Sequence, residues 1–230
     1  MFDRSVVIRM ATESILIIAS ILLALSADAW WESRNRQEQL VGHLNALERD
    51  FDTMLDRIDA SHQAASRGAQ AGVQLSSMLQ QRLPISPEAA RQGFWHLVFY
   101  EVFTPSPGAY SALVDSGNLE LLEDDDLKLA LADFFGSFED TRASEKLQLD
   151  TQVAIFQTSA FSELVGWHRM GQANVPVADD MPTERWAESS EVMNAIGIMT
   201  VRQYDLLEDY EYLRGRIVEI ASLIDAATID

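Results

Sequence analysis

The sequence predicts an all-α protein: a single N-terminal transmembrane helix continuing into an elongated antiparallel helical bundle with coiled-coil-like seams. An uncharged, mostly apolar run fills Ser14 to Ala27. Beyond it, apolar residues recur over long stretches at alternating steps of four and three, the period of one helix face. No stretch carries the period-two alternation of a strand, and no internal repeat is visible. The boundaries expected are a short tail over residues 1–9, the transmembrane helix over 10–31 and a helical bundle domain over 32–230.

From Met10 to Trp31 a helix reaches roughly 33 Å at about 1.5 Å per residue, enough to cross a bilayer. Trp30 and Trp31 at its downstream end carry amphipathic rings that settle at headgroup level, and Arg34 and Arg36 follow them. Arg4 and Arg9 before the apolar core, with Ala27-Asp28-Ala29 after it, also have the form of a cleavable signal. Tryptophans directly after that point suit an anchor better, so an uncleaved anchor is the reading adopted.

Glu13 interrupts the run about one turn inside its N-terminal boundary. There a carboxylate can snorkel to the interface, is favoured by the helix dipole and has Arg9 four residues away on the same face. It also opens a seam of Glu13, Ile17, Ser20, Ala24, Ala27 and Trp31, spaced 4, 3, 4, 3, 4. Most of these residues are small or polar, and such a face lets a second transmembrane helix approach closely. A proton or ion pathway would need several spans, and the sequence offers one.

The formal charge of −19 argues against nucleic acid as a partner, since binding a phosphate backbone needs clustered lysine and arginine. The chain has no cysteine, which excludes disulfides and thiolate metal sites. His43, His62, His96 and His168 are scattered, with no paired spacing, so neither metal nor cofactor is expected. A Gly-rich phosphate loop and a nucleophile elbow are also lacking, and the chain is read as a non-enzyme.

After the span the helical pattern runs from Glu32 to about Gln81, with Leu40, Leu44, Leu47, Phe51, Met54 and Ile58 on one seam. Gly68 and Gly72 weaken this helix, and a bend is expected there. Pro84 and Pro87 end it, and Ser86-Pro87 is an N-cap and first-turn pair for a helix running to about Phe103. That helix is apolar on nearly every side, with Phe94, Leu97 and Val98 on one face and Trp95, Phe99 and Val102 on another. Trp95, Phe99 and Tyr110 form a candidate ligand pocket, although aromatic residues at helical spacing are more often plain core.

Ser106-Pro107 starts a short helix that ends at Asp115-Ser116-Gly117-Asn118, with Gly117 suited to the left-handed C-terminal position. The acidic cluster Glu123 to Asp126 lacks the spaced ligands and central glycine of a calcium loop, and Asp124 or Asp125 is expected to cap the next helix. That helix carries Leu127, Leu131, Phe134 and Phe138, then Leu147, Ile155 and Leu164, with an interruption near Gly136. Gly171 to Pro182 reads as loop. The last helix, from about Ser190 to Ala227, has the longest seam: Ile196, Met199, Gln203, Leu206, Tyr210, Leu213, Ile217, Ile220 and Ile224. Its expected partner is the helix leaving the membrane, with self-association across two chains as the alternative.

Two blocks resemble a bacterial family of single-pass membrane proteins of unknown function. Thr12 to Arg34 resembles that family's opening, a Gly-Glu, a span containing Gly-Ile-Leu-x-Ala-Leu, then Asp or Asn and Trp-Asn-Glu-Glu. Tyr110 to Phe135 is similar to its Tyr-x-x-Leu-x-x-Ser-Gly-x-Leu-x-Leu-Ile segment. Glu13, Ala24, Leu25, Asp28, Trp30 and Glu32 fall on family positions, as do Tyr110, Leu113, Ser116, Gly117 and Leu119. Thr12 and Ser20 depart from the family's glycines; Ser20 keeps its position small, whereas Thr12 hinders a very close approach beside Glu13. The resemblance implies an anchor in a bacterial inner membrane and supplies no activity.

Charge places the chain weakly: Arg4, Arg9 and the terminal amine on the short side nearly balance Arg34 and Arg36 on the long side. The orientation expected has the tail inside and the acidic bulk in the periplasm. With about nine residues before the span, a signal from the domain would travel sideways in the bilayer. The function expected is a membrane-anchored interaction or scaffold module, an accessory subunit contacting another membrane protein or itself. The alternative is a ligand-sensing bundle binding a small molecule at its aromatic core.

Overall fold

The computed structural model describes residues 4–158, 161 and 181–229, excluding the side chains of residues 4–15, 17 and 229. The side chains of Glu13 and Ile17, the residues Leu164 and His168, and residues 171–180 of the loop expected over Gly171 to Pro182 lie outside the described residues. Every regular element described is helical, as the sequence pattern predicts.

Helix α1 spans Arg4–Gln80 without a break, roughly 115 Å at about 1.5 Å per residue. Its first and second parts differ in company. Every described side chain from Leu16 to Gln39 is exposed, whereas Leu44, Leu47, Phe51, Met54 and Ile58 are buried. Among the described residues no helix is long and apolar enough to cross a membrane. The described uncharged run, from Leu16 to Ala27, falls short of the roughly 20 apolar residues a span takes.

Helix α1 continues through Gly68 and Gly72, and these glycines serve close approach. A Cβ on Gly68 would lie 2.6 Å from Gln203 Cδ and 2.9 Å from the His96 carbonyl oxygen, and one on Gly72 would lie 2.1 Å from Thr200 Oγ1. Neighbouring elements press against the α1 backbone where other side chains would hold them off.

Helix α2 spans Pro87–Val98, and its N-cap is Ser86, whose hydroxyl oxygen accepts from the Ala89 amide at 3.2 Å. It stops five residues before the expected end at Phe103. Phe99 turns to extended geometry (φ −91°, ψ 123°), and the chain runs non-helically to helix α3, Gly108–Asp115. We call residues 99–107 the strap.

Ser106 does not cap α3. Asp50 of α1 does so from outside, accepting from the Ala109 amide at 2.8 Å and the Ser106 hydroxyl at 3.3 Å. Gly117 takes the left-handed conformation (φ 71°) ahead of a 3-10 turn, Asn118–Leu121.

Helix α4, Asp125–Phe156, begins at Asp124, whose carboxylate accepts from the amides of Asp126 and Leu127. It passes Gly136 uninterrupted, since this exposed glycine costs the helix some propensity without removing a backbone bond. A short helix α5, Thr183–Trp186, leads to α6, Ser190–Ile229, and all nine seam positions read from the sequence are buried.

The order of contacts fixes the topology. Arg214 meets Asp59 at 2.6 Å and Gln203 meets Gly68, so α6 runs antiparallel to α1. On α4, Asp133 faces Arg216, Glu145 faces Tyr210, and Gln152 and Gln203 bond adjacent carbonyls, so α4 is also antiparallel to α6.

Two apolar cores result. One gathers Leu44 to Ala65 of α1, Leu127 to Phe134 of α4 and Leu206 to Ile224 of α6 around Phe103, Leu113 and Leu122. The other gathers Leu75 and Leu79 of α1, the buried face of α2, Phe161, Trp186, and Val192 to Met199 of α6.

Candidate functional site

A layer of buried polar side chains lies between the two cores: Thr141, Glu145, Gln148 and Gln152 of α4, and Thr200 and Gln203 of α6. It arises from one register on α4. Leu127, Leu131, Phe134, Phe138, Thr141, Glu145, Gln148 and Gln152 step by four and three along a single face, apolar in its first half and polar in its second. The search for apolar residues alone leads instead to Leu147, which is exposed, and Ile155, which is partly buried. Unbroken register is the signal that would have found the polar half.

The layer faces backbone. Ending α2 inside the protein leaves its last carbonyls without intrahelical donors, and buried carbonyls need partners. Gln203 Nε2 donates to the Leu97 carbonyl at 2.8 Å, and Gln152 Nε2 to the Val98 carbonyl at 2.6 Å. Along the strap, the Tyr100 hydroxyl donates to the backbone oxygen of Glu145 at 3.2 Å, and the Phe103 amide donates to Glu145 Oε1 at 2.8 Å. Tyr210 Oη lies 2.7 Å from Glu145 Oε1 and 3.1 Å from the Glu101 carbonyl oxygen. Arg57 of α1 reaches the Thr104 carbonyl at 3.0 Å. These bonds are why the helix expected to Phe103 ends at Val98: side chains of three helices take the backbone groups that further helix would have used.

Burial pushes the Glu145 carboxyl above the usual carboxylate range, outweighing the Tyr210 and Phe103 hydrogen bonds and the charge of Arg142. Burial first, and the Glu145 charge second, push the Tyr210 phenol well up. Gln148, fully buried between the Glu145 and Gln152 turns, has no hydrogen-bond partner for either amide atom among the described residues.

The aromatic residues proposed as a pocket divide. Trp95 and Phe99 stack on each other at 3.6 Å between centroids, with Phe99 exposed, while Tyr110 stacks on Phe135 of α4 at 4.5 Å. A groove of about 330 Å³ lies along α4 and α6, lined by Ser144, Leu147, Arg202, Asp205, Glu208 and Asp209. Another, of about 300 Å³, lies along α1 and α2 and includes Arg67, Gln74 and His96. Trp95, Phe99 and Tyr110 line neither groove. Among the described residues no group of three or more histidines and carboxylates is placed to hold a metal.

The second candidate surface is the first part of α1. Leu16, Leu23 and Trp31 are 71%, 72% and 67% exposed, against 1% for Leu44 on the same helix. Of the seam proposed for a transmembrane contact, Ser20, Ala24, Ala27 and Trp31 are exposed. The hydroxyls of Ser20 and Ser26 donate to the carbonyls of Leu16 and Leu22, each at 2.8 Å. The tryptophans are followed by a charged collar: Arg34 lies 5.8 Å from the Trp30 ring centroid and bonds Glu38, and Arg36 bonds Glu32. In comparisons with family models, curated proteins and solved structures, the chain matches none.

Proposed function

We propose that the protein is a membrane-anchored helical interaction module: α1 enters the bilayer over residues 10–31, and the bundle serves as an accessory or scaffold domain. The observation that carries this reading is the exposed apolar stretch of α1. Leu16, Ile18, Ile21, Leu22, Leu23, Leu25, Trp30 and Trp31 find no cover in the described fold, although the seam of the same helix is buried from Leu44 onward. An apolar surface continuous around a helix calls for lipid or other helices around it.

Local chemistry agrees. A lipid-exposed helix must satisfy its polar groups within itself, and Ser20 and Ser26 return their hydroxyl protons to their own helix. Tryptophans followed by arginine–glutamate pairs make the transition expected at an interface. Upstream, Ile15, Ala11 and Met10 extend the apolar sequence, with Glu13 the one charge among them, which gives the length a span requires. The resemblance of Thr12–Arg34 and Tyr110–Phe135 to single-pass bacterial membrane proteins supports the same reading, with the inner membrane as location and the bundle in the periplasm.

Action through lateral contacts follows from the small seam of Ser20, Ala24 and Ala27, which admits a second helix from another membrane protein or a second copy. Fractionation of cells producing the full chain tests the anchor. The protein should stay with membranes through an alkaline carbonate wash, and replacing both Leu22 and Leu23 with glutamate should move it to the soluble fraction. Release of the unaltered chain by that wash would overturn the proposal. Purification in mild detergent, with mass determination of the complex and of its Glu13→Leu variant, then distinguishes a partner from self-association.

A further inference from the structure

We propose that Glu145 is a proton-binding switch: it is held as the neutral acid, donating to Tyr210, and its ionisation releases the strap 99–107 from α4 and α6. Counting protons leads to this. Tyr210 has one hydroxyl proton, yet its oxygen lies within hydrogen-bond distance of two acceptors, Glu145 Oε1 at 2.7 Å and the Glu101 carbonyl at 3.1 Å. An ionised Glu145 only accepts, so the phenol proton can fully satisfy one of the two. A proton on Glu145 Oε1 completes the chain. Glu145 then donates to Tyr210, Tyr210 donates to Glu101, and Oε1 keeps a lone pair for the Phe103 amide at 2.8 Å.

The surroundings favour the neutral form. Glu145 is buried between two apolar cores, and among the described residues no lysine or arginine forms an ion pair with it. On α4, exposed Arg142 one turn earlier pairs with Glu139 at 3.8 Å, and Asp150 lies beyond. On α6, Asp209 adds a like charge beside Tyr210; the strap contributes Tyr100 and Glu101. From α1, Arg57 is engaged by the Thr104 carbonyl, and the antiparallel register brings His62 to the level of Tyr210. An unpaired carboxylate is costly in such a layer, and burial is the largest influence holding the Glu145 proton on.

The strap joins α2, in one core, to α3, in the other. Ionising Glu145 therefore loosens the strap, one of the segments that pass between the cores, where the side-chain bonds hold it. The sign follows from linkage. Because the folded protein keeps this proton above the usual carboxylate range, the contribution is full at acidic pH and is lost as pH rises towards the raised value.

The test uses the full chain in detergent micelles, with the Glu145 side-chain carboxyl carbon followed by NMR across pH and exchange of the Phe103 amide corrected for its intrinsic pH dependence. We expect Glu145 to titrate above the ordinary glutamate range. Phe103 protection should fall by up to about tenfold per pH unit beyond that point, the limit for one proton. In Glu145→Gln, with the carboxamide oxygen at the Oε1 position, the Phe103 amide keeps an acceptor at every pH and Tyr210 donates to that same oxygen; nothing there ionises, so protection should no longer depend on pH. Titration of Glu145 within the ordinary range, or an unchanged pH dependence in Glu145→Gln, would overturn the proposal. Should Glu145→Gln not fold, the titration of the unaltered chain decides alone.

Discussion

The two halves of the α4 seam share one register and meet different surfaces. Leu127, Leu131 and Phe134 pack against side chains, with Phe134 5.5 Å from the Phe51 ring. Glu145 and Gln152, at the continuing positions, pack against the ends of a broken helix and hold its backbone. The difference teaches that polarity on a buried face follows from what lies opposite. Where a neighbouring helix is intact, its carbonyls are used and the seam can be apolar. Where it stops, the seam must supply donors.

Three substitutions would sharpen that contrast, each read as the change in unfolding free energy from a urea titration. Phe134→Ala, in the apolar half, should have the largest effect, a loss of about 3–5 kcal/mol from lost burial and the cavity left behind. A loss under 1 kcal/mol would mean that the apolar half is not the main tie between α4 and α1.

Gln152→Leu should come next. It keeps most of the volume but leaves the Val98 carbonyl without its donor, at a cost of about 1–3 kcal/mol. A neutral result would show that the polar half does not serve the end of α2. Gln148→Leu should have the smallest effect, with stability unchanged or raised, because it replaces a buried amide that no described residue satisfies. If it costs as much as Gln152→Leu, then Gln148 has a partner as firm as Val98, and the distinction between these neighbouring positions fails.

Much of the bundle was legible because local rules and packing agreed. The whole α6 seam was readable, including Gln203 as its polar interruption, since regular apolar spacing over a long helix has one interpretation. Ser86, Asp124 and Gly117 act where their chemistry placed them, as caps and a left-handed turn. Gly136, expected to interrupt α4, does not, and distant groups set roles that local propensity does not show: Asp50 caps α3, and α6 presses against Gly68 and Gly72 of α1.

By itself the sequence determined the helical class, the seams of α1 and α6, the principal caps and the apolar run near the N-terminus, because each depends on residues within a few turns of one another. Only the tertiary structure decided that α2 ends at Val98, that α4 carries a polar second half and that Glu145, Tyr210, Glu101 and Phe103 meet. Those contacts join residues from 42 to 109 positions apart. Their chemistry becomes readable once two antiparallel registers have set which backbone groups lack a partner.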